Sequence, residues 1–420
     1  MYMEKEDRLM AILYLLVGYA FVYVFTGVCE AYALSLFTAF YTVVVLLYLR
    51  FREKRPSGES WFWLAVLLAM GIPFAFWSVF PVLQILGMIT VAAYWTLSAC
   101  GRLLDGRTSE WVFFDGWNAM AAVPFGNFGC QFRALLGTGA SDGEERKGRG
   151  GLAVLLGFLL VIPVLVVILP LLSRADAGFE QLAGDLAHYM EQHFLSVFLR
   201  ILLAIPVSCY LYGLIFGGIS GRGTDRIRTG RLQEMGETMR ILPDTAVCTA
   251  LLILCGVYVL FMGIQGSYLF SAFAGNLPED FTYAEYARRG FFELCQIGVW
   301  NLLLLGCASL FSRSRSTEHR GLCVVTVLLA MLNLLLILTA MSKLGMYICV
   351  YGLTVNRILP MVFMVWMALV FLLLILRQRK IFPMARICIM AGAVLFCLLC
   401  IFPVEHWVQM YNFQLGCPPL

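Results

Sequence analysis

Apolar runs of about 20 residues recur along almost the whole chain, and they constrain its fold more than any other feature. A helix of that length crosses about 30 Å of hydrocarbon. Eleven of these runs are predicted to span a membrane, at residues 9–28, 31–49, 61–78, 80–100, 152–172, 197–218, 244–264, 291–311, 321–342, 358–376 and 387–403. The sequence therefore predicts an all-α, polytopic integral membrane protein with about 11 transmembrane helices.

The composition supports a single membrane domain over residues 1–420. The chain is 61% hydrophobic and 13% charged, whereas soluble proteins are about 25% charged. The segments between the runs are too short to hold a separate catalytic domain. The net charge of +4 is spread over short loops, so the lipid bilayer is the expected partner and nucleic acid is not. No cleavage site follows the first run, which is expected to stay as the first membrane helix.

The positions of lysine and arginine predict how the chain is oriented. Most of the 30 basic residues fall in the loops of one side when the N-terminus is placed inside. Cytoplasmic loops are the ones enriched in these residues. Adding or removing one span would invert every later loop and destroy this asymmetry. We therefore predict that the N-terminus lies inside and the C-terminus outside.

Three segments between the spans have patterns of their own. The inner segment 101–151 contains an apolar stretch interrupted by Pro124 and by glycines, which predicts an interfacial or a re-entrant element. The interfacial alternative is favoured, and both stay open. In residues 179–196, apolar residues recur at helical spacing with charged residues between them, which predicts an amphipathic helix on the outer surface. Residues 231–242 do the same on the inner side, where they would contact the membrane or dock a partner.

The densest polar stretch of the chain leads into the span at 291–311. Thr282 and Glu285 have the spacing of a capping box, which predicts that a helix begins there. Glu285, Arg289 and Glu293 then follow at intervals of four residues, so they share one helix face. These side chains are expected at the outer membrane surface. They either cap the helix in the headgroup layer or contribute to a functional site.

A second polar stretch, residues 343–357, is predicted on the same side. Tyr347 and Tyr351 are one helical turn apart, and Arg357 lies at the mouth of the tenth span. We expect the two stretches to converge on a shallow outward cavity between the eighth, ninth and tenth spans, with Glu293 and Arg357 as its central pair. The candidate substrate-binding residues are Glu285, Arg288, Arg289, Glu293, Tyr347, Tyr351 and Arg357.

Other polar residues suggest structure rather than chemistry. Asn301 and Asn333 fall near the middle of neighbouring spans, where a hydrogen bond between helices is favoured over a transport pathway. The sequence has no metal-spaced Cys and His set, no phosphate-binding loop and no defensible catalytic triad, so no metal, cofactor or catalytic residue is predicted. A disulfide among Cys29, Cys349 and Cys417 is left open.

Two motifs resemble a known family. They are Tyr283-Ala-Glu-Tyr-Ala-Arg-Arg-Gly-Phe291 and Tyr351-Gly-Leu-Thr354, the latter followed by Asn356-Arg357. Together they resemble a family of bacterial polytopic membrane proteins, the domain of unknown function 4173, from about residue 60 onward. The resemblance implies a location in the bacterial plasma membrane, and it brings no catalytic residue.

Three functions fit these observations. The favoured one is a permease-like protein that binds or transports a small polar solute or ion through the outward cavity. The second is an accessory or sensory protein of the cell envelope that works with other membrane proteins. The third is a membrane-embedded enzyme acting on a lipid-linked substrate, and an enzyme is the less expected class.

Overall fold

The computed structural model describes residues 5–26, 31–136, 168, 195–224, 229–264, 283–314 and 319–414. Within these ranges the regular structure is helical, apart from one isolated bridge between Leu242 and Ser312. The helices are α1 (Lys5–Thr26), α2 (Ala31–Phe51), α3 (Ser60–Gly71), α4 (Pro81–Ala99), α5 (Val112–Trp117), α6 (Val123–Gly126), α7 (Cys130–Leu136), α8 (Leu195–Ser220), α9 (Thr229–Thr238), α10 (Asp244–Ile264), α11 (Tyr283–Phe311), α12 (Arg320–Tyr351), α13 (Val355–Arg377), α14 (Met384–Ile401) and α15 (Val404–Gln414).

Nine of the helices in the described ranges are long and apolar enough to cross a membrane: α1, α2, α4, α8, α10, α11, α12, α13 and α14. They coincide with nine of the eleven predicted spans, which confirms an all-α, polytopic membrane protein. Of the predicted span 152–172, only residue 168 is described. The predicted outer helix 179–196 likewise lies outside the described residues, except for its last two, which begin α8.

The predicted span 61–78 is a broken helix. Helix α3 has 12 residues and ends at Gly71, and a short 3₁₀ turn at Pro73–Ala75 follows. Proline has no backbone N–H and its ring blocks a continuing helix. At 1.5 Å per residue, α3 is about 18 Å long, well short of the hydrocarbon thickness. Apolar composition located this helix, but it did not show where Pro73 would end it.

Polar side chains satisfy the backbone where α3 breaks. Gln84 Nε2 donates to the carbonyl oxygen of Met70 at 2.6 Å, and Ser35 Oγ donates to that of Gly71 at 2.6 Å. Ser78 Oγ in turn donates to Gln84 Oε1 at 2.9 Å. An unsatisfied carbonyl at membrane depth would cost several kcal/mol. These polar residues therefore stabilise the break.

The described chain divides into two compact units. The first unit comprises Met1–Arg107 and Phe113–Arg226, and the second comprises Thr108–Val112 and Ile227–Leu420. Each unit has its own helix packing. Whether the whole chain acts as one membrane domain stays a prediction.

The first unit is centred on the pair α1 and α8. A Cβ atom added to Gly18 of α1 would lie 2.6 Å from the carbonyl oxygen of Ala204 on α8, so the two backbones touch. Tyr14 and Tyr212 meet edge to face across the same interface, with 5.8 Å between ring centroids. Small residues allow this close approach between membrane helices.

The segment after α4 that was predicted on the inner side belongs to the first unit from Phe113 onward. Its pieces, α5, a π-helical turn, α6 and α7, bury both polar and apolar side chains. Asn127 Nδ2 donates to the carbonyl oxygen of Arg222 at 2.8 Å, and Gln131 Nε2 donates to that of Ala11 at 2.9 Å. These bonds tie the interrupted segment to α1 and to the residues just after α8, while side chains such as Phe113 and Phe125 stay exposed. Its depth, interfacial or re-entrant, stays a prediction.

Basic residues from two loops bond to the C-terminal end of α8. Lys54 Nζ donates to the carbonyl oxygen of Ile219, and Arg102 Nε donates to that of Gly218 at 3.2 Å. A helix C-terminus carries partial negative charge and attracts cations. Burial, together with the nearby Arg102 guanidinium, lowers the pKa of the Lys54 amine. These two cations therefore stabilise the fold of the first unit.

The second unit is organised around α12, which packs against α10, α11 and α13. A chain of hydrogen bonds crosses three of these helices at mid-length. Tyr258 Oη donates to Asn301 Oδ1 at 2.9 Å, and Asn301 Nδ2 donates to Asn333 Oδ1 at 2.8 Å. The predicted bond between the two asparagines is confirmed. Such bonds contribute about 0.6 kcal/mol on average.

The inner amphipathic helix is shorter than the predicted 231–242. Helix α9 ends at Thr238, and Leu242 has an extended backbone that accepts a bond from Arg313 N at 3.1 Å. Pro243 follows, and a proline disfavours helical geometry in the residue before it. The prediction extended the helix to residue 242 because apolar residues keep a helical spacing up to that point, although Pro243 disfavours a helical Leu242.

Candidate functional site

The candidate site begins with a lysine buried in α12. This helix continues to Tyr351, nine residues beyond the predicted end of its span, and Lys343 on its last turns has 0% exposure. Lys343 interacts electrostatically with Glu293, which is exposed on the neighbouring helix α11. Ionisable residues within membrane helices face the bundle interior and pair with one another. The structure therefore buries within α12 a lysine that the sequence placed in the outer polar stretch 343–357, and the carboxylate of Glu293 on α11 acts on it electrostatically.

Two tyrosines and an arginine continue from Lys343 toward the end of α12. Tyr347 and Tyr351 lie one and two turns further on, and their ring centroids are 5.1 Å apart. The guanidinium of Arg357, on the first turn of α13, lies 4.1 Å from the Tyr347 centroid. A cation over an aromatic face at this distance is attracted by the ring. Tyr347, Tyr351 and Arg357, all predicted site residues, are therefore brought together.

The backbone of the turn between α12 and α13 holds the Arg357 side chain in place. Gly352 has φ +75°, which other residues rarely adopt. Arg357 Nη1 donates to the carbonyl oxygens of Gly352 and, at 3.4 Å, of Tyr351. These bonds hold the guanidinium against the end of α12, where the backbone carbonyls of the helix are otherwise unsatisfied.

Helix α15 clamps the same turn. Asn412 Oδ1 accepts from Leu353 N at 2.7 Å, and Asn412 Nδ2 donates to the Leu353 carbonyl oxygen at 2.9 Å. A Cβ atom on Gly352 would lie 2.7 Å from Asn412 Oδ1. The sequence reasoning missed both α15 and Asn412, because it ended the last span at residue 403. The signal was present in the aromatic residues after that point, which are typical of an interfacial helix.

The remaining predicted site residues are on α11. The helix begins at Tyr283, one residue after Thr282, as the capping pattern predicts. The side chains of Glu285, Arg288 and Arg289 lie outside the described part of the chain. An electrostatic interaction links Glu293 with Lys343, and a cation–π contact links Arg357 with Tyr347. The Glu293–Arg357 pair and the cavity around it stay predictions.

Metal and disulfide chemistry depends on how the His, Cys, Asp and Glu side chains are grouped. In the ranges covered by the structure, no group of three or more His, Cys, Asp or Glu side chains is placed to hold a metal ion. Cys29 and Cys417 lie outside those ranges, while Cys349 is exposed on α12. The question of a disulfide among the three therefore stays open.

No curated protein matches the chain, and no solved structure matches it either. A family model does match, over residues 11–415. It is not the family to which the two motifs were compared: domain of unknown function 4173 is wrong. Those motifs are short polar stretches at helix ends, a pattern that suits many membrane proteins, whereas the matching model covers nearly the whole chain. Neither an organism nor a particular membrane follows, so the bacterial plasma membrane stays a prediction. The chain is a multi-pass membrane protein that belongs to the family described as Domain of unknown function (DUF4153).

Proposed function

We propose that the second unit binds a small polar solute or ion and moves it across the membrane, in the manner of a permease. The binding residues in this proposal are Glu293, Lys343, Tyr347, Tyr351 and Arg357, hereafter the polar cluster. The observation that supports it best is the full burial of Lys343 in an apolar helix, together with its electrostatic interaction with Glu293 of the next helix. Burying a charge costs several kcal/mol, so an ionisable pair at this position is better explained by function than by stability.

The charges of the polar cluster indicate the class of solute. Its described members carry one carboxylate, on Glu293, against two cationic groups, on Lys343 and Arg357. A surplus of positive charge favours an anion or a zwitterion. Arg357 and the tyrosine hydroxyls could donate hydrogen bonds to carboxylate or phosphate oxygens. Small carboxylates, inorganic phosphate and amino acids are therefore the first probes to use.

Thermal unfolding of the purified protein tests binding directly. Acetate, inorganic phosphate, chloride and glycine would each be titrated into detergent-solubilised protein. A solute at 100 times its Kd stabilises the folded state by about 2.7 kcal/mol, which is readily measured. We expect at least one probe to stabilise the protein, and Lys343→Met to remove the effect. Lys380→Met is the matched control, because Lys380 is exposed beyond the opposite end of α13.

Transport is tested with the probe that binds. Uptake of that solute into proteoliposomes should occur with the natural protein and with Lys380→Met, and it should be lost in Lys343→Met. Glu293→Gln serves as a second variant, since Glu293 is exposed and its replacement should leave folding intact. Stabilisation and uptake that persist in both site variants would reject the polar cluster as the binding site.

An accessory role has one observation in its favour. Met235 on α9 and Ile241 just after it are exposed on the inner loop of the second unit. An apolar patch of this kind could dock a partner or rest on the membrane. A partner that co-purifies with the natural protein and is lost on Met235→Glu would favour this second proposal.

A further inference from the structure

A cavity of about 70 Å³ lies inside the first unit, separate from the polar cluster. It is enclosed by five helices and is open on one side. Its lining residues include Phe21 and Phe25 of α1, Phe37 and Tyr41 of α2, and Ala92 of α4. Phe21 lies between the other two phenylalanines, with ring centroids 4.4 Å from Phe25 and 5.6 Å from Phe37. One wall of the cavity is therefore aromatic.

The lining offers few groups to a polar ligand. It contains three hydroxyl groups, and each already has a hydrogen-bond partner in the protein. Thr38 Oγ1 donates to Leu34 O at 2.8 Å, Tyr210 Oη donates to Met120 O at 2.8 Å, and Tyr41 Oη shares a bond of 2.8 Å with Thr96 Oγ1. A water molecule needs two to four polar partners to occupy a cavity. With each hydroxyl already bonded within the protein, hydrocarbon suits this lining better than water.

We propose that this cavity receives the end of one acyl chain of a bilayer phospholipid. Four of its five helices, α1, α2, α4 and α8, have the length and composition of membrane spans, so acyl chains surround them. Phe25, which lines the cavity, is 41% exposed and marks its open side. Hydrocarbon entering there would fill space that close-packed interiors rarely leave empty.

Arg200 supplies a site for the phosphate of the same lipid. It lies on α8, about three turns before the lining residue Leu211, on nearly the same helix face and roughly 16 Å along the axis. Half of the hydrocarbon core is about 15 Å thick, so a chain whose headgroup is at Arg200 ends near Leu211. The guanidinium of Arg200 lies 5.1 Å from the ring of Tyr23, in the same turn of α1 as the cavity phenylalanines. A guanidinium suits phosphate oxygens because it donates two parallel hydrogen bonds.

Photolabelling of the full-length protein in vesicles tests the proposal. The probe is phosphatidylcholine with a diazirine near the end of one acyl chain. We expect Ile89 and Phe37, which line the cavity, to be labelled several-fold less in Ala92→Trp than in the natural protein. Leu86→Trp is the matched control, since Leu86 is on the same helix and is 57% exposed. Phe37→Ala provides a second variant that enlarges the cavity, and we expect it to increase labelling of Tyr41.

Two results would overturn the assignment. The first is labelling of the lining that neither Ala92→Trp nor Phe37→Ala changes. The second is a cross-link from benzoylphenylalanine at Phe37 to residues 152–172, because the chain itself would then fill the cavity.

The headgroup is tested with a diazirine diacylglycerol, which lacks phosphate. Arg200→Gln should reduce labelling by phosphatidylcholine and leave labelling by diacylglycerol unchanged, and an equal effect on both lipids would exclude Arg200 as the phosphate site.

Discussion

The two units use their polar side chains in different ways. In the first unit, several buried polar groups bond to backbone carbonyls of other segments, as Gln84 does at Met70 where α3 breaks and Gln131 does at Ala11 within α1. In the second unit, a chain of bonded side chains joins three helices at mid-length, and Asn301 bonds to Asn333 within it. Lys343 of α12 is buried in this unit too and has an electrostatic interaction with Glu293 of α11. Polarity supports irregular architecture in the first unit, whereas in the second it joins long, continuous helices.

Glycines differ between the units as well. In α1 and α8, Gly18 and Gly213 lie against backbone atoms of other elements. In the second unit, Gly298 lies against the side chain of Met367, and Gly256 and Gly263 of α10 have no atom of another element within 4 Å of an added Cβ. Close backbone packing is thus a property of the first unit's centre. The contrast teaches that functional chemistry is better sought among the side-chain pairs of the second unit than among the more numerous polar bonds of the first.

The largest expected effect comes from Gly18→Ala. Its new methyl group would lie 2.6 Å from the Ala204 carbonyl oxygen, so α1 and α8 must separate. Overpacking of this kind costs about 1–3 kcal/mol and occasionally more, and we expect about 3 kcal/mol. Gly256→Ala is the matched control in the second unit, with an expected change within 1 kcal/mol. Denaturant unfolding in micelles measures both, and equal losses would remove the packing contrast between the units.

Gln84→Leu should destabilise the first unit by about 2 kcal/mol. The substitution leaves the carbonyl oxygen of Met70 without its donor at the break after α3, and a buried unsatisfied acceptor costs about 1–3 kcal/mol. Thr90→Val on the same helix is the control, because the Thr90 hydroxyl bonds only to its own helix and is exposed. A loss in Gln84→Leu no greater than in the control would mean that the break does not depend on Gln84.

Lys343→Met should change the stability of the folded protein in the opposite direction. Replacing a buried charge with an apolar side chain of similar size is often neutral or stabilising, so we expect stability to stay level or to rise by about 1 kcal/mol. Solute binding should be lost at the same time. Unfolding curves and probe titrations on one preparation would separate the two effects. A strongly destabilised Lys343→Met would place Lys343 with the structural polar groups and weaken the contrast between units.

The sequence predicted most of the helices but not the extent of the cluster around Lys343. Runs of about 20 apolar residues depend only on composition, so nine described helices were located correctly. Lys343 was placed beyond the end of the ninth span, among the outer polar residues, because a charged residue ends an apolar run even when its helix continues. A helix extended to Tyr351 is favoured by tertiary packing, since Lys343 is fully buried against its neighbours.

The missed features share a physical cause. Pro73 ends α3, and Pro243 stops α9 from extending to Leu242, yet apolar periodicity continues through both places. The clamp of Asn412 on the turn at Gly352 joins residues far apart in the chain. Hydropathy and spacing describe one segment at a time, so contacts between distant segments could not be read from them. The pairing of Asn301 with Asn333 was predictable, because both fall at mid-depth of adjacent spans.

The smallest expected effect is the coupling between those two asparagines. Asn301→Leu and Asn333→Leu each remove one end of the 2.8 Å bond, and a double-mutant cycle isolates the energy that they share. We expect a coupling of about 0.6 kcal/mol, the average for such bonds in membrane proteins. Tyr258→Phe removes only the bond from Tyr258 to Asn301, and it should lower the stability less than either asparagine substitution. Transport that survives the double variant would show that this polar chain holds the helices together, whereas transport lost with little change in stability would extend the solute path from the polar cluster to the middle of the second unit.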